Sequence, residues 1–565
     1  MAGGDYRALR GGCPDFRLTI FAKAAVVRRR FSGGGSRKPQ GDMVMHSLPD
    51  VFNAATHFVD RHIADGRGAS IAIECEQRRV SYQDLFELVN RTGSALQTEL
   101  DVRPEERVLL LMLDSPEMVA AFFGAIKIGA IPIPLNTLWT PADYEFALRD
   151  SHAAVAIVSR ELYPKIAEAV SRSRSVRDVV IVGGGSGDRV VDFDALIARG
   201  SADLQAEPTS CDAPAFWLYS SGSTGRPKGC VHLQHDMVVC AESYARGVLG
   251  IEPADRCFSV AKLFFAYGLG NAMYFPLAVG ATSILWPGPV TPPIVYDIIE
   301  RCRPTLFFSV PTHYAMMLAH RNEAREFDLS SIRCAVSAGE SLPPAVLTRF
   351  RDRFGVEILD GIGSTEVLHI FISNRRGSVR PGSSGVPVPG YEAKLVHDDG
   401  TPVTTGEVGS LLIKGDSTCA MYWNRHELTK STIQGEWIRT GDHYYQDDDG
   451  CYWFAGRSDD MLKVGGLWVS PTELEHTLLE HSSVLACGVV GRADQDGLVK
   501  PLAYVVPRDG TVGTPELAAE LQQFARSRLA EYKRPRWVEF VDALPTTATG
   551  KVQRFKLRGR LSRTS

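Results

Sequence analysis

The sequence predicts an α/β protein, with a large N-terminal domain of parallel-type sheets covered by helices and a small C-terminal α+β domain. Three observations point there. From about Ser47 onward, apolar runs of buried-strand length alternate with capped helical stretches, which implies parallel strands joined by crossover helices. At 565 residues the chain exceeds what one hydrophobic core organises. The pattern changes near 457–460, and the last hundred or so residues can form a unit of their own. The expected division is an extension over 1–42, a large domain over 43–458 and a small domain over 459–565.

The first strong element is "ERVLLLML" (106–113), a buried strand. Ser115 then caps a helix with Pro116 at its first position, which stops near Gly129. "IPIPLN", "AVAIVS" (154–159) and "DVVIVG" (178–183) are further strands, and "FWLYSS" is a strand leading into a loop. Ser470-Pro471-Thr472-Glu473 reads as a capping box ahead of Leu474 and Leu478. "VLACGVVG" and "LAYVVP" are strands, then comes a helix from Pro515 and a last strand, "WVEFV".

Composition narrows the function classes. With 44% hydrophobic and 23% charged residues the chain is a soluble globular type. A net charge of −4 gives no electrostatic reason to expect nucleic acid as a partner. No apolar run reaches bilayer-spanning length, so no membrane association is expected. The eleven cysteines are scattered without a CxxC pair. That argues for reduced thiols in a cytoplasmic enzyme and against structural zinc, and Cys230 reads as a small filler. Residues 1–42 are basic and glycine-rich. They read as a disordered extension ahead of a start at Met43 or Met45, while their Arg and Ser content also suits a targeting segment.

Chemistry concentrates in a few polar stretches. "YSSGSTGRPKGCVH" (219–232) combines Gly222, Gly225 and Gly229 with the hydroxyls of Ser220, Ser221, Ser223 and Thr224 and the charge of Lys228. Such a segment can cradle phosphate, although its spacing is not that of a P-loop. "SAGESL" (337–342) and "DGIGSTE" (360–366) each place glycine and acid after a short apolar run, as ligand sites at strand ends do. "RTGD" (439–442), "GRSDDMLKVGG" (456–466) and "PTTATGKVQR" (545–554) add charge to flexible glycine.

In this order and spacing the stretches resemble the adenylate-forming superfamily of acyl-CoA synthetases, luciferases and adenylation domains, over about residues 45–560. "KLFFAYGLGNAM" (262–273), "DGIGSTEVLHIF" (360–371) and "DDMLKVGGLWVSP" (459–471) are most similar to its benzoate–CoA ligase subfamily. The resemblance implies ATP, CoA and Mg²⁺, a small aromatic carboxylic acid as substrate, and a monomer or homodimer with a mobile C-terminal lid. It implies that the 220–225 loop and Lys228 hold the β- and γ-phosphates, that Thr365 donates to the α-phosphate and that Glu366 binds Mg²⁺. Ala338, Gly339, Glu340, Asp360 and Gly361 would line the nucleotide, Asp442 the ribose, and Arg457 would reach it too. Lys551 would bridge carboxylate and α-phosphate, Asp459 would be the hinge, and Gly465 and Gly466 would line the pantetheine tunnel. The aryl group would lie against Ala266, Tyr267, His369 and Ile370, with Gly363 as the floor. Where the superfamily stacks an aromatic residue on adenine this chain has Ile362, as the subfamily does. Substituted benzoates, and loading of an aryl acid onto a carrier protein, stay open as alternatives.

Overall fold

The computed structural model describes residues 48–561 apart from 188, 221–226, 321–325, 458–459, 465–466, 496–497, 530 and 547–551. Residues 1–42 lie outside this set.

Two large sheets organise the N-terminal part. The first has nine strands. Six are mutually parallel, in the order Ile358–Gly363, Cys334–Ser337, Leu306–Ser309, Arg256–Ser259, Thr282–Leu285 and Ile71–Cys75. Antiparallel strands close both edges: Ile370–Ser373 and Val386–Pro387 at one end, Arg78–Ser81 at the other. The second sheet is all parallel, in the order Ile131–Pro134, Arg107–Leu111, Val155–Ser159, Asp178–Val182 and Val190–Asp192. A hairpin, Pro214–Ser220 with Lys228–Leu233, and an antiparallel sheet built on Glu392–Val396, Gly409–Lys414, Trp437–Gln446 and Tyr452–Arg457 complete this part. Parallel-type sheets are thus present as expected, while the antiparallel edges and hairpins make this part mixed as a whole. Short connections, such as that between Gln446 and Tyr452, allow antiparallel neighbours without a crossover helix.

The helix Pro116–Lys127 shows why the sheets pack as they do. Ser115 Oγ accepts from the Met118 amide at 3.3 Å and Pro116 occupies the first turn. Every residue in it except the half-buried Glu117 is buried, so it is not an amphipathic surface helix but an interior one. Phe122 and Phe123 join a core that runs from Val108 and Leu110 of one sheet to Leu306 and Phe308 of the other. Lys127 is the polar exception, and its ammonium donates to Asp60 Oδ2 at 2.7 Å and Asn90 Oδ1 at 2.6 Å.

The C-terminal part has its own sheet, Val484–Ala493, Val499–Pro507 and Trp537–Phe540, and its own apolar clusters, in which no residue precedes Leu462. The box expected at Ser470 is half formed. Ser470 Oγ accepts from the Glu473 amide at 3.0 Å, but both Glu473 oxygens instead take the Lys533 ammonium at 2.8 Å. A lysine reaching across the fold offers charge, where the Ser470 amide offers a neutral donor.

Candidate active site

The hairpin carries the first half of the site. Its strands pair Ser220 with Lys228, so the loop between them starts and ends at one point. Ser221, Gly222, Ser223, Thr224 and Gly225 lie outside the described residues. Lys228 Nζ sits 5.5 Å over the Tyr422 ring, a cation–π contact.

The second half comes from the edge of the nine-stranded sheet. Ser337 and Asp360 are register partners on adjacent parallel strands, which brings "SAGESL" and "DGIGSTE" side by side at the strands' C-terminal ends. Ala338 is buried, Gly339 is exposed, and Glu340 Oε2 accepts from Thr312 Oγ1 at 3.1 Å. Asp360 is buried, and burial pushes its carboxyl up to about 8. Gly361 pairs with Ser373 on the edge strand.

After Gly363 the chain makes a single tight turn, Thr365–Val367, capped by Ser364 Oγ, which accepts from the Val367 amide at 3.3 Å. Leu368 leaves this turn at φ +69°, a conformation that costs a β-carbon residue about 1–3 kcal/mol. Surrounding contacts hold the turn in place. Tyr422 O–H donates to Glu366 Oε1 at 2.8 Å and Ser220 Oγ donates to the same oxygen at 3.4 Å. The Cys419 amide donates to the Glu366 carbonyl at 2.7 Å, and Ser417 Oγ to the Val367 carbonyl at 2.8 Å. His232 Nε2 lies 2.8 Å from the Thr365 carbonyl, and its Nδ1 lies 2.7 Å from Asp236 Oδ2. Glu366 thus stands partly exposed beside Ser220 and Tyr422, with Oε2 left without a partner among the described residues. A hard carboxylate oxygen in that position suits Mg²⁺.

Asp442 lies inside the strand Trp437–Gln446, not in a turn. Gly441 at φ +78° interrupts the strand and lets Asp442 pair with Arg457 of the next one, Nη1 to Oδ1 at 3.0 Å. An acid fixed in this way keeps its other oxygen for neutral donors such as ribose hydroxyls.

The aryl-site residues form a third group. Tyr267 O–H donates to the Val336 and Ser309 carbonyls at 3.2 and 3.3 Å. The His369 ring centre lies 4.4 Å from Phe275 and 5.5 Å from both Tyr244 and Tyr267. Its Nε2 meets two acceptors, Asn271 Oδ1 at 3.1 Å and the Tyr267 carbonyl at 3.3 Å, so Nε2 bears the hydrogen. Burial lowers the ring to about 3, and it is neutral. A β-carbon on Gly363 would come 2.6 Å from the His369 carbonyl, so only glycine lets these strands touch. Ala266, Tyr267 and Gly363 keep partial exposure, whereas His369 and Ile370 are 2% and 1% exposed and back the others.

Lys551, Asp459, Gly465 and Gly466 lie outside the described residues. Around them, Arg554 donates to Glu475 Oε2 at 2.6 Å and Asp460 Oδ2 at 3.1 Å, which ties the stretch after 551 to the stretch after 459. Tyr422, His232 and Asp236 join the site without having been singled out by sequence. His232 and Asp236 stand four apart at the end of a quoted motif, the one signal available. Nothing near Tyr422 in the sequence marks it.

Comparison with known proteins places this geometry. Residues 60–423 match the AMP-binding enzyme family and residues 473–551 the AMP-binding enzyme C-terminal domain. The chain is 49% identical over 512 residues to the benzoate–CoA ligase of Thauera aromatica, an alignment covering 90% of this chain and 96% of that one. It is similar to the crystal structure of an anthranilate CoA ligase in complex with anthranoyl-AMP, with a TM-score of 0.88 and 42% identity over 92% of this chain and 98% of that one. It is also similar to a benzoate CoA ligase from Burkholderia xenovorans LB400, with a TM-score of 0.83 and 46% identity over 90% of this chain and 100% of that one.

Proposed function

The chain belongs to the AMP-binding enzyme family, and from that premise we propose that it is an ATP-dependent aryl acid–CoA ligase converting benzoate, ATP and CoA to benzoyl-CoA, AMP and diphosphate. The observation that carries the reading is the double use of one short stretch. Residues 360–366 face the phosphate hairpin, and residues 363–370 join Ala266 and Tyr267 in an aromatic wall. An acid held by that wall meets the nucleotide within a few residues.

In the first step a benzoate oxygen attacks the α-phosphorus and pyrophosphate leaves. An anion approaches a polyanion, so the residues' main task is to offset charge. Lys228 and the 220–225 loop would hold the outer phosphates, Thr365 would donate to the α-phosphate, and Lys551 would bridge it to the carboxylate. Mg²⁺, when bound by Glu366, offsets phosphate charge. Asp442 and Arg457 would orient the ribose, and Asp360, largely protonated at neutral pH, is able to donate a hydrogen bond beside the nucleotide. In the second step the CoA thiol attacks the acyl carbonyl and AMP leaves. Residues 459–565 would act as a lid turning at Asp459, with Gly465 and Gly466 along the pantetheine path.

Incubating the full chain with ATP, Mg²⁺, CoA and a panel of acids tests the reading. The panel holds benzoate, its hydroxy and amino derivatives, cyclohexanecarboxylate and fatty acids. The expected result is benzoyl-CoA with equimolar AMP. AMP release without thioester would favour a carrier protein as acceptor, and activation of fatty acids alone would overturn the proposal.

A further inference from the structure

The quoted phosphate motif ends in a histidine that the reaction does not use. His232 lies on the strand Lys228–Leu233, on the same strand as Lys228, and is fully buried, as is Asp236. Its Nε2 reaches the Thr365 carbonyl at 2.8 Å, a contact between residues 133 apart in the chain. Asp236 Oδ2 lies 2.7 Å from Nδ1 and also accepts from the Leu233 amide at 3.1 Å. Phe216 stacks on the ring, centre to centre at 5.2 Å and 20° between planes. On the far side of Asp236, Oδ1 lies 3.2 Å from His235 Nε2. The imidazole is therefore held on one edge by a carboxylate and on one face by a phenyl ring, and its remaining nitrogen spans to the turn that bears Thr365 and Glu366.

That turn belongs to the nine-stranded sheet, and Lys228 to the hairpin. The two halves of the phosphate site thus come from separate sheets, and a displacement of either by about 1 Å would misplace the groups that meet the phosphates. We propose that His232, oriented by Asp236, is a positioning residue for adenylation: a strut that sets the Thr365–Glu366 turn against the phosphate hairpin. The proposal rests on the ligase reading above. It predicts an effect on the step that needs phosphate and Mg²⁺ contacts and little effect on the step that does not.

The test measures the two half-reactions separately in the full-length protein. Benzoate-dependent ATP–pyrophosphate exchange reports adenylation, and synthetic benzoyl-adenylate with CoA reports thioester formation. His232→Ala should lower exchange by about 10–100-fold, the usual effect of removing a group that orients a ligand-bearing residue. The loss should appear against Mg·ATP and leave KM for benzoate unchanged, while thioester formation stays near wild type. His232→Gln keeps an N–H for the Thr365 carbonyl and should recover a large part of the exchange. If the alanine variant is insoluble, Asp236→Asn gives the same reading with a smaller loss. Equal loss in both half-reactions would mean a merely structural residue and overturn the proposal, as would exchange at the wild-type rate. A wild-type chain that shows no exchange with benzoate would instead overturn the ligase reading, and the proposal with it.

Discussion

The phosphate side and the aryl side of this site share the stretch 360–370 but are built on opposite principles. On the phosphate side, charged groups are retained and each is given a partner: Lys228 over Tyr422, Glu366 under Tyr422 and Ser220, Asp442 against Arg457, Asp236 against His232. On the aryl side, Tyr267 O–H and His369 Nε2 are turned onto backbone or amide acceptors and the ring of His369 is kept neutral. The difference teaches where recognition resides. In the proposed reaction, partnered charge would serve the triphosphate, which is the same for every acid. The neutral wall would meet the part of the substrate that varies.

The largest expected effect strikes the phosphate side alone. Glu366→Gln removes the charge proposed to bind Mg²⁺ and should slow adenylation by about 10²–10³, the usual effect of deleting one charge-stabilising group, and by the same factor for every acid tested. A factor that changes with the acid would break the division. Lys551→Ala should cost adenylation about as much. Thioester formation from preformed adenylate should survive it, because the lid would then have carried Lys551 away. Equal loss in both steps would contradict a lid that turns at Asp459.

A smaller effect concerns stability. His62, His313 and His369 are buried, and burial lowers them to about 4, 4 and 3. The unfolded chain binds protons on these groups below about 6.5 while the folded chain does not. The contribution of these rings is therefore complete above that pH and declines as pH falls toward 4. Melting temperatures recorded from about pH 7 down to about 4.5 should fall steadily, and a flat profile would contradict neutral burial of these rings. Asp360 has the opposite sign. Its folded carboxyl, pushed up to about 8, binds a proton that the unfolded chain releases near 3.8, so its contribution is present at low pH and lost as pH rises through 8. Asp360→Asn does not titrate, and its melting temperature relative to wild type should climb between about pH 5 and 8. A constant difference would show that Asp360 is ionised in the fold.

Most of the α/β layering is legible in sequence because buried parallel strands are short, apolar and separated by capped helices. "AVAIVS" and "DVVIVG" fall on Val155–Ser159 and Asp178–Val182, and Ser115-Pro116 begins a real helix. The antiparallel sheet around 392–457 is not legible in this way. Apart from Gly409–Lys414 its strands are half-exposed, and "RTGD" carries no strand signal because Gly441 breaks a strand from within. At the site, glycines and acids advertise the nucleotide side, since such residues have few structural reasons to cluster. The struts are silent. Tyr422, His232 and Asp236 look like ordinary core residues until the fold brings residues 230, 365 and 422 together.

The most direct measurement is the ratio of kcat/KM for benzoate to that for octanoate in wild type, Glu366→Gln and Tyr267→Ala. Wild type should favour benzoate, and Glu366→Gln should keep the wild-type ratio despite its loss of rate. Tyr267→Ala removes the aromatic face and should lower the ratio at least about tenfold, the scale of the 1–3 kcal/mol that a pocket contact contributes to discrimination. A ratio that moves with Glu366 and not with Tyr267 would contradict the assignment of phosphate recognition to one side of the 360–370 stretch and aryl recognition to the other.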